Sequence, residues 1–155
     1  MLGETELDVL LKSMKPVLRD GEFVFCTLSP ERFNELAVQP IGQFQEDEGL
    51  TLILKREQAD NLGLQYEYIS RMITLSVHSN LNAVGFLAAI TGKLAEYGIS
   101  VNPVAAYYHD HLFVPTEKAN AATEFILTSY LSTVACRNGD MGAILFRNGS
   151  LYPAC

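Results

Sequence analysis

ITLSVHSNLNAVGFLAAITGKLAEYGISVNPVAAYYHDHLFVP, residues 73–115, contains a strand, a helix and a β-hairpin in that order. Ile73, Leu75 and Val77 alternate with Thr74, Ser76 and His78, the period of two expected where one face of a strand is buried. Ser79 and Asn80 interrupt the alternation and can accept hydrogen bonds from the free N–H groups of a following helix. Ala83, Leu87, Ile90, Leu94 and Tyr97 then fall on one helical face. Gly98 stands where that helix must turn left-handed to end, and residues 99–108 resume as strand.

Further along, residues 110–114 read as a strand and 116–131 as a helix. The order strand 73–77, helix 81–97, strands 99–108 and 110–114, helix 116–131 opens a split β-α-β arrangement, antiparallel with its helices on one face. Pro103 cannot donate to a ladder, which confines its strand to an edge or a bulge. The second strand of a ferredoxin-like sheet is an edge, so the two inferences agree. An exposed edge invites pairing with another subunit.

Upstream the signals are shorter. Leu7, Leu10, Leu11 and Met14 lie at helical spacing behind Thr5, and Pro16 ends the pattern. Residues 23–28 form a nearly continuous apolar run, the mark of a strand buried on both faces. Residues 30–37 read as a turn or two of helix with Pro30 at its start, 39–49 as a polar acidic loop, 50–54 as a strand, and 56–62 as a brief helix stopped by Gly63. LILKREQAD (52–60) and LFVPTEKAN (112–120) share Leu, Glu and Ala at an offset of 60 (from 52 to 112), and both pass from apolar strand into helix start. This echo predicts a repeated α/β lobe: a first lobe at 1–66, a second at 67–133, and a tail at 134–155 that either adds a strand near 143–146 or is a loose extension.

Composition limits the partners. With 155 residues, 48% hydrophobic and 19% charged, the chain can bury a core without metal or disulfide. A net charge of −7 from scattered basic residues argues against nucleic acid, which needs clustered Lys and Arg. No apolar run approaches the ~20 residues that span a bilayer, and the amino terminus does not read as a signal peptide, so the expectation is a cytoplasmic protein that binds neither membrane nor nucleic acid. Cys26, Cys136 and Cys155 are too widely spaced for a zinc site or a secreted disulfide framework.

Residues 73–115, together with LRDGEFVFCTL and EDEGLTLIL upstream, resemble small bacterial proteins with tandem ACT-type domains, over most of residues 10–133. The resemblance implies an α+β fold of two ferredoxin-like ACT lobes, of the kind used by allosteric domains of amino-acid biosynthetic enzymes and by free-standing amino-acid sensors. The acid and Pro-Gly pair typical of the first ACT connection are replaced here by residues 79–85, with only the glycine kept.

Two readings compete at that connection. Free N–H groups at a helix start attract a carboxylate, and Gly85 allows close approach; alternatively Ser79 and Asn80 merely cap the helix. At residues 107–111, YYHDH, two histidines on one strand face could bind metal, but no third ligand can be named. The other reading puts Asp110 in the hairpin turn with the tyrosines packed on the sheet. The leading expectation is a non-catalytic sensor that holds a small amino-acid-like ligand where lobes or subunits meet and that forms homo-oligomers through sheet edges. Ser79, Asn80, Val84 and Gly85 would hold the carboxylate, and Asn102, Tyr107 and His109 the other polar groups, with His78 facing cleft or solvent. No catalytic residue, metal or cofactor is assigned. The alternatives are an enzyme using His109, Asp110 and His111, and a pure oligomerisation module.

Overall fold

The computed structural model describes residues 3–135, 144–147 and 150–153, with side chains over 3–130. In chain order the elements are α1 (Leu7–Ser13), β1 (Pro16–Leu18), β2 (Phe23–Leu28), α2 (Pro30–Glu35), β3 (Gly42–Gln45), β4 (Leu50–Lys55), α3 (Arg56–Asn61), β5 (Ile69–Leu75), α4 (Phe86–Glu96), β6 (Asn102–Ala105), β7 (Asp110–Pro115), a 3-10 turn (Thr116–Lys118), α5 (Ala119–Ala135), β8 (Ile144–Arg147) and β9 (Ser150–Pro153). β8 and β9 pair only with each other. Residues 134–155 otherwise fall largely outside the description, Cys136 and Cys155 included.

Instead of two sheets side by side, the chain builds one seven-stranded antiparallel sheet in the order β3-β4-β2-β5-β7-β6, with β1 also on β5. Two ferredoxin-like arrangements share it through β5. Ile69 and Ser70 pair with Val24 and Phe23 as the last strand of the first arrangement, and residues 73–75 open the second. The second takes its own last strand from the amino terminus, since Pro16, Val17 and Leu18 pair with Leu75, Thr74 and Ile73. β1 and β2 therefore lie end to end along one edge of β5, and residues 19–22 bulge out between them. The sequence-based division at residue 66 assigned 7–18 to the first lobe, but they complete the second. Three residues of β1 carry too short a pattern to show their partner.

Burial follows the alternation of each strand. Val24, Cys26, Leu28, Leu50, Leu52 and Leu54 bury one face of the first half with Ala59 and Leu64. Ile73, Leu75, Leu112 and Val114 continue that face beneath Leu10 and Met14 of the amino-terminal segment, Phe86, Ile90 and Leu94 of α4, and Ala119, Ala122 and Ile126 of α5. All helices thus cover one face. On the other, Phe23, Ile53 and Phe113 bury one another with Phe25 and Met72, and the ring of Phe113 meets those of Phe23 and Phe25 edge-on at 6.0 and 5.3 Å.

The repeat at an offset of 60 is structural. β3 and β6 start at Gly42 and Asn102, β4 and β7 at Leu50 and Asp110, and the pairings Gly42↔Ile53 and Asn102↔Phe113 match residue for residue. Where the halves differ is in the connection from first to second strand. It covers 29–41 in one half and 76–101 in the other. β6 lies at the sheet's edge and carries Pro103, as predicted.

Candidate functional site

α4 starts at Phe86, later than the pattern predicted, because residues 76–85 fold as an irregular loop that ends at Gly85 with φ 85°. A side chain at that φ would cost roughly 1–2 kcal/mol, which selects glycine. The two polar residues expected to cap the helix do something else. Asn80 Oδ1 accepts from the Asn82 N–H at 2.9 Å, and Ser79 Oγ donates to Asp110 Oδ2 at 3.1 Å. Among the described residues no side chain caps α4, and the N–H groups of its first turn present the positive end of the helix dipole to the loop.

Asp110 is the acid that faces this loop. It lies in β7 opposite Leu75 and Ala105, not in the hairpin turn, which is made by residues 106–109 and closed by Ala106 N–H donating to the His109 carbonyl at 3.2 Å. Even-numbered positions of β7 point to the helix-covered face, so its carboxylate is driven into the packing at 6% exposure. Among the described residues no Lys or Arg pairs with it, and no hydrogen bond reaches Oδ1. Burial pushes its pKa up, only partly offset by Ser79 and the two neighbouring histidines.

Between these two features is a cleft of about 180 Å³, lined by Ser79, Asn80, Leu81, Ala83, Gly85, Phe86, Leu87, Ala88, Ala105 and Asp110. A shallower one of about 220 Å³ lies on the other side of the 79–81 ridge, between Gly3, His78, Asn82 and Tyr107. The amino terminus walls it: Glu4 N–H donates to the His78 carbonyl at 2.9 Å and Asn80 N–H to the Glu4 carbonyl at 2.8 Å. Gly3 passes so close that a Cβ there would come within 2.7 Å of the Asn80 nitrogen.

Of the residues expected at the site, His78, Ser79, Asn80, Gly85 and Tyr107 line these two clefts. The other three do not. Val84 is 83% exposed and points away. Asn102 shares its row with Phe113 on the helix-free face, and His109 donates from Nδ1 to the Val77 carbonyl at 3.2 Å. His78 stacks on Tyr108 with centroids 5.4 Å apart. His111 lies on the helix-free face within 3.1 Å of Thr74 Oγ1, to which Arg19 Nε donates at 2.9 Å; burial lowers its pKa. The two histidines therefore bond different partners, and among the described residues no group of three or more His, Cys, Asp and Glu gathers to hold a metal. The sequence reading missed Asp110 as a lining residue, along with the small apolar wall of Ala83, Ala88 and Ala105.

The ACT domain family matches this chain twice, over residues 2–71 and 67–127. A Vibrio cholerae protein of unknown function, described as a possible transport protein, is 48% identical, with a TM-score of 0.70 over 77% of this chain and 92% of that one. The chain is a tandem ACT-domain protein. Its fold is shared at lower identity by an Agrobacterium tumefaciens protein (13% identical, TM-score 0.59, 75% of this chain and 88% of that one). It is shared too by the regulatory subunit of aspartate kinase from Thermus thermophilus (11% identical, TM-score 0.53, 77% and 99%). No curated protein matches. ACT domains are typically regulatory modules that bind small molecules, and in this tandem ACT protein the cleft lies at the connection between the first strand and first helix of the second ACT unit. Among the described residues no helix is long and apolar enough to cross a membrane.

Proposed function

We propose that this tandem ACT protein is a non-catalytic cytoplasmic sensor that binds a free amino acid at the start of α4 and passes its occupancy to a partner. One observation carries the reading: an uncapped helix N-terminus and a buried, unneutralised carboxylate face the same cleft. The first favours an anion, and the second is stabilised by a cation that replaces its lost hydration. An α-amino acid supplies both, carboxylate to the N–H groups of residues 86–88 and ammonium to Asp110. Ser79, already bonded to Asp110, and the backbone at Gly85 shape the space between them. At about 180 Å³ the cleft is below the range of drug-sized ligands, ~300–1,000 Å³, which suits a single amino acid.

The same comparison supports one site per chain. In the first ACT unit Leu50 stands where Asp110 stands in the second, buried in the core. Its helix α2 is six residues long and is capped by Ser29 Oγ, which accepts from Arg32 N–H at 3.3 Å. Neither charge complement is present there.

Signalling follows from linkage. A ligand that ties β7 to α4 favours the arrangement in which the loop at 76–85 is ordered, and the amino-terminal strap bonded to that loop moves with it. Oligomers would form through the free edges at β3 and β6. Thermal shift and titration calorimetry across the twenty amino acids test the reading. A ligand at a hundred times its dissociation constant should add about 2.7 kcal/mol of stability, with one mole bound per mole of chain. A flat response to every amino acid would refute it.

A further inference from the structure

We infer that the ligand is an amino acid with a short, uncharged aliphatic side chain, from alanine up to leucine in size. This rests on the amino-acid reading above and takes it to a class. Once carboxylate and ammonium are placed, Ser79 Oγ stays engaged with Asp110 and Asn80 Oδ1 with Asn82, which leaves the Asn80 amide NH2 as a side-chain donor at the cleft's rim. What remains for the side chain is Leu81, Ala83, Leu87, Ala88 and Ala105, a wall of methyl groups with no donor or acceptor of its own.

Charge narrows the class further. Among the described residues Asp110 is the only acid lining either cleft, so a lysine or arginine side chain would find no second carboxylate there. An aspartate or glutamate side chain would add a second anion to a cleft whose single cation, the ligand's ammonium, is already taken by Asp110. Size excludes the aromatic side chains, since a cleft of about 180 Å³ must hold the carboxylate and ammonium as well.

Affinity should therefore rise from glycine through alanine to valine, by about fourfold for each carbon the apolar wall covers. Calorimetry with glycine, alanine, valine, leucine, lysine, aspartate and phenylalanine reads this directly. Ala88→Leu should weaken valine and leucine at least tenfold more than it weakens glycine, and Ala105→Val should do the same from the opposite wall. Melting of each variant without ligand checks that it folds. A charged or aromatic amino acid as the tightest ligand, or unchanged valine affinity in both folded variants, would overturn the class and leave the amino-acid reading standing. Loss of all binding in the unsubstituted protein would overturn both.

Discussion

Asp110 works against the fold that contains it. Its pKa is raised by burial, so the folded state holds the proton more tightly than the unfolded chain, whose value is near 3.8. The sign follows: the contribution of Asp110 to stability is fully present below 3.8 and is lost as pH rises through the raised value. Replacing the carboxylate by an amide removes that penalty and keeps the shape. Asp110→Asn should therefore melt no lower than the parent at pH 7 without ligand, yet bind amino acids at least tenfold more weakly, as differential scanning fluorimetry and calorimetry will show. A side chain retained for packing alone would give the opposite pair of results. His111 adds a second slope, because its lowered pKa lets the unfolded chain protonate first below its ordinary 6.5 and stability drops with falling pH there. The sequence marked the neighbourhood of Asp110 but gave the residue the wrong task. Between two histidines and after two tyrosines it has the composition of a turn, and which face it takes depends on a register that a one-residue slip reverses. Asn102 was misplaced for the same reason.

At the level of elements, the longer periodic segments were legible and the short ones were not. β2, β4, β7, α4 and α5 declare themselves through runs of five or more patterned residues, and the offset of 60 was visible in three identities. β1 and β3 have three and four residues, and β3, with a single apolar side chain in GQFQ, is held as strand by its ladder with β4 rather than by its own pattern. α4 begins late because its apparent first turn is spent on the loop. The partner of α1 was hidden altogether, since an amphipathic face shows that something covers it but not what. Leu10 is wholly buried among residues of β5, α4 and α5. Leu10→Ala should therefore cost about 2–5 kcal/mol. Hydrogen exchange should show the lost protection in α4 and α5, far away in sequence, before it appears in β4.

For the whole molecule, two lobes that look separable in sequence are stitched together. β5 serves both, and the second lobe borrows its last strand and part of its core from residues 7–18. A fragment beginning at residue 67 lacks the partner of Ile73, Thr74 and Leu75 and the cover supplied by Leu10 and Met14. It should show no cooperative thermal transition by circular dichroism, whereas adding a peptide of residues 1–22 in trans should restore one. The family matches divide the chain near residue 70, where the linear pattern turns over. The hydrogen bonds do not divide there, because pairing across a sheet is indifferent to chain order.

That borrowed strand also sets a timetable during synthesis. The helix at Leu7–Ser13 leaves the ribosome well before its cover is complete, since Ile126 of the same buried cluster is more than a hundred residues behind it. At ~5–20 residues per second its leucines wait on the order of ten seconds for cover. A stretch made more than a hundred residues before its cover is among the last to be buried, and over that interval it is a part of the nascent chain that chaperones are well placed to hold.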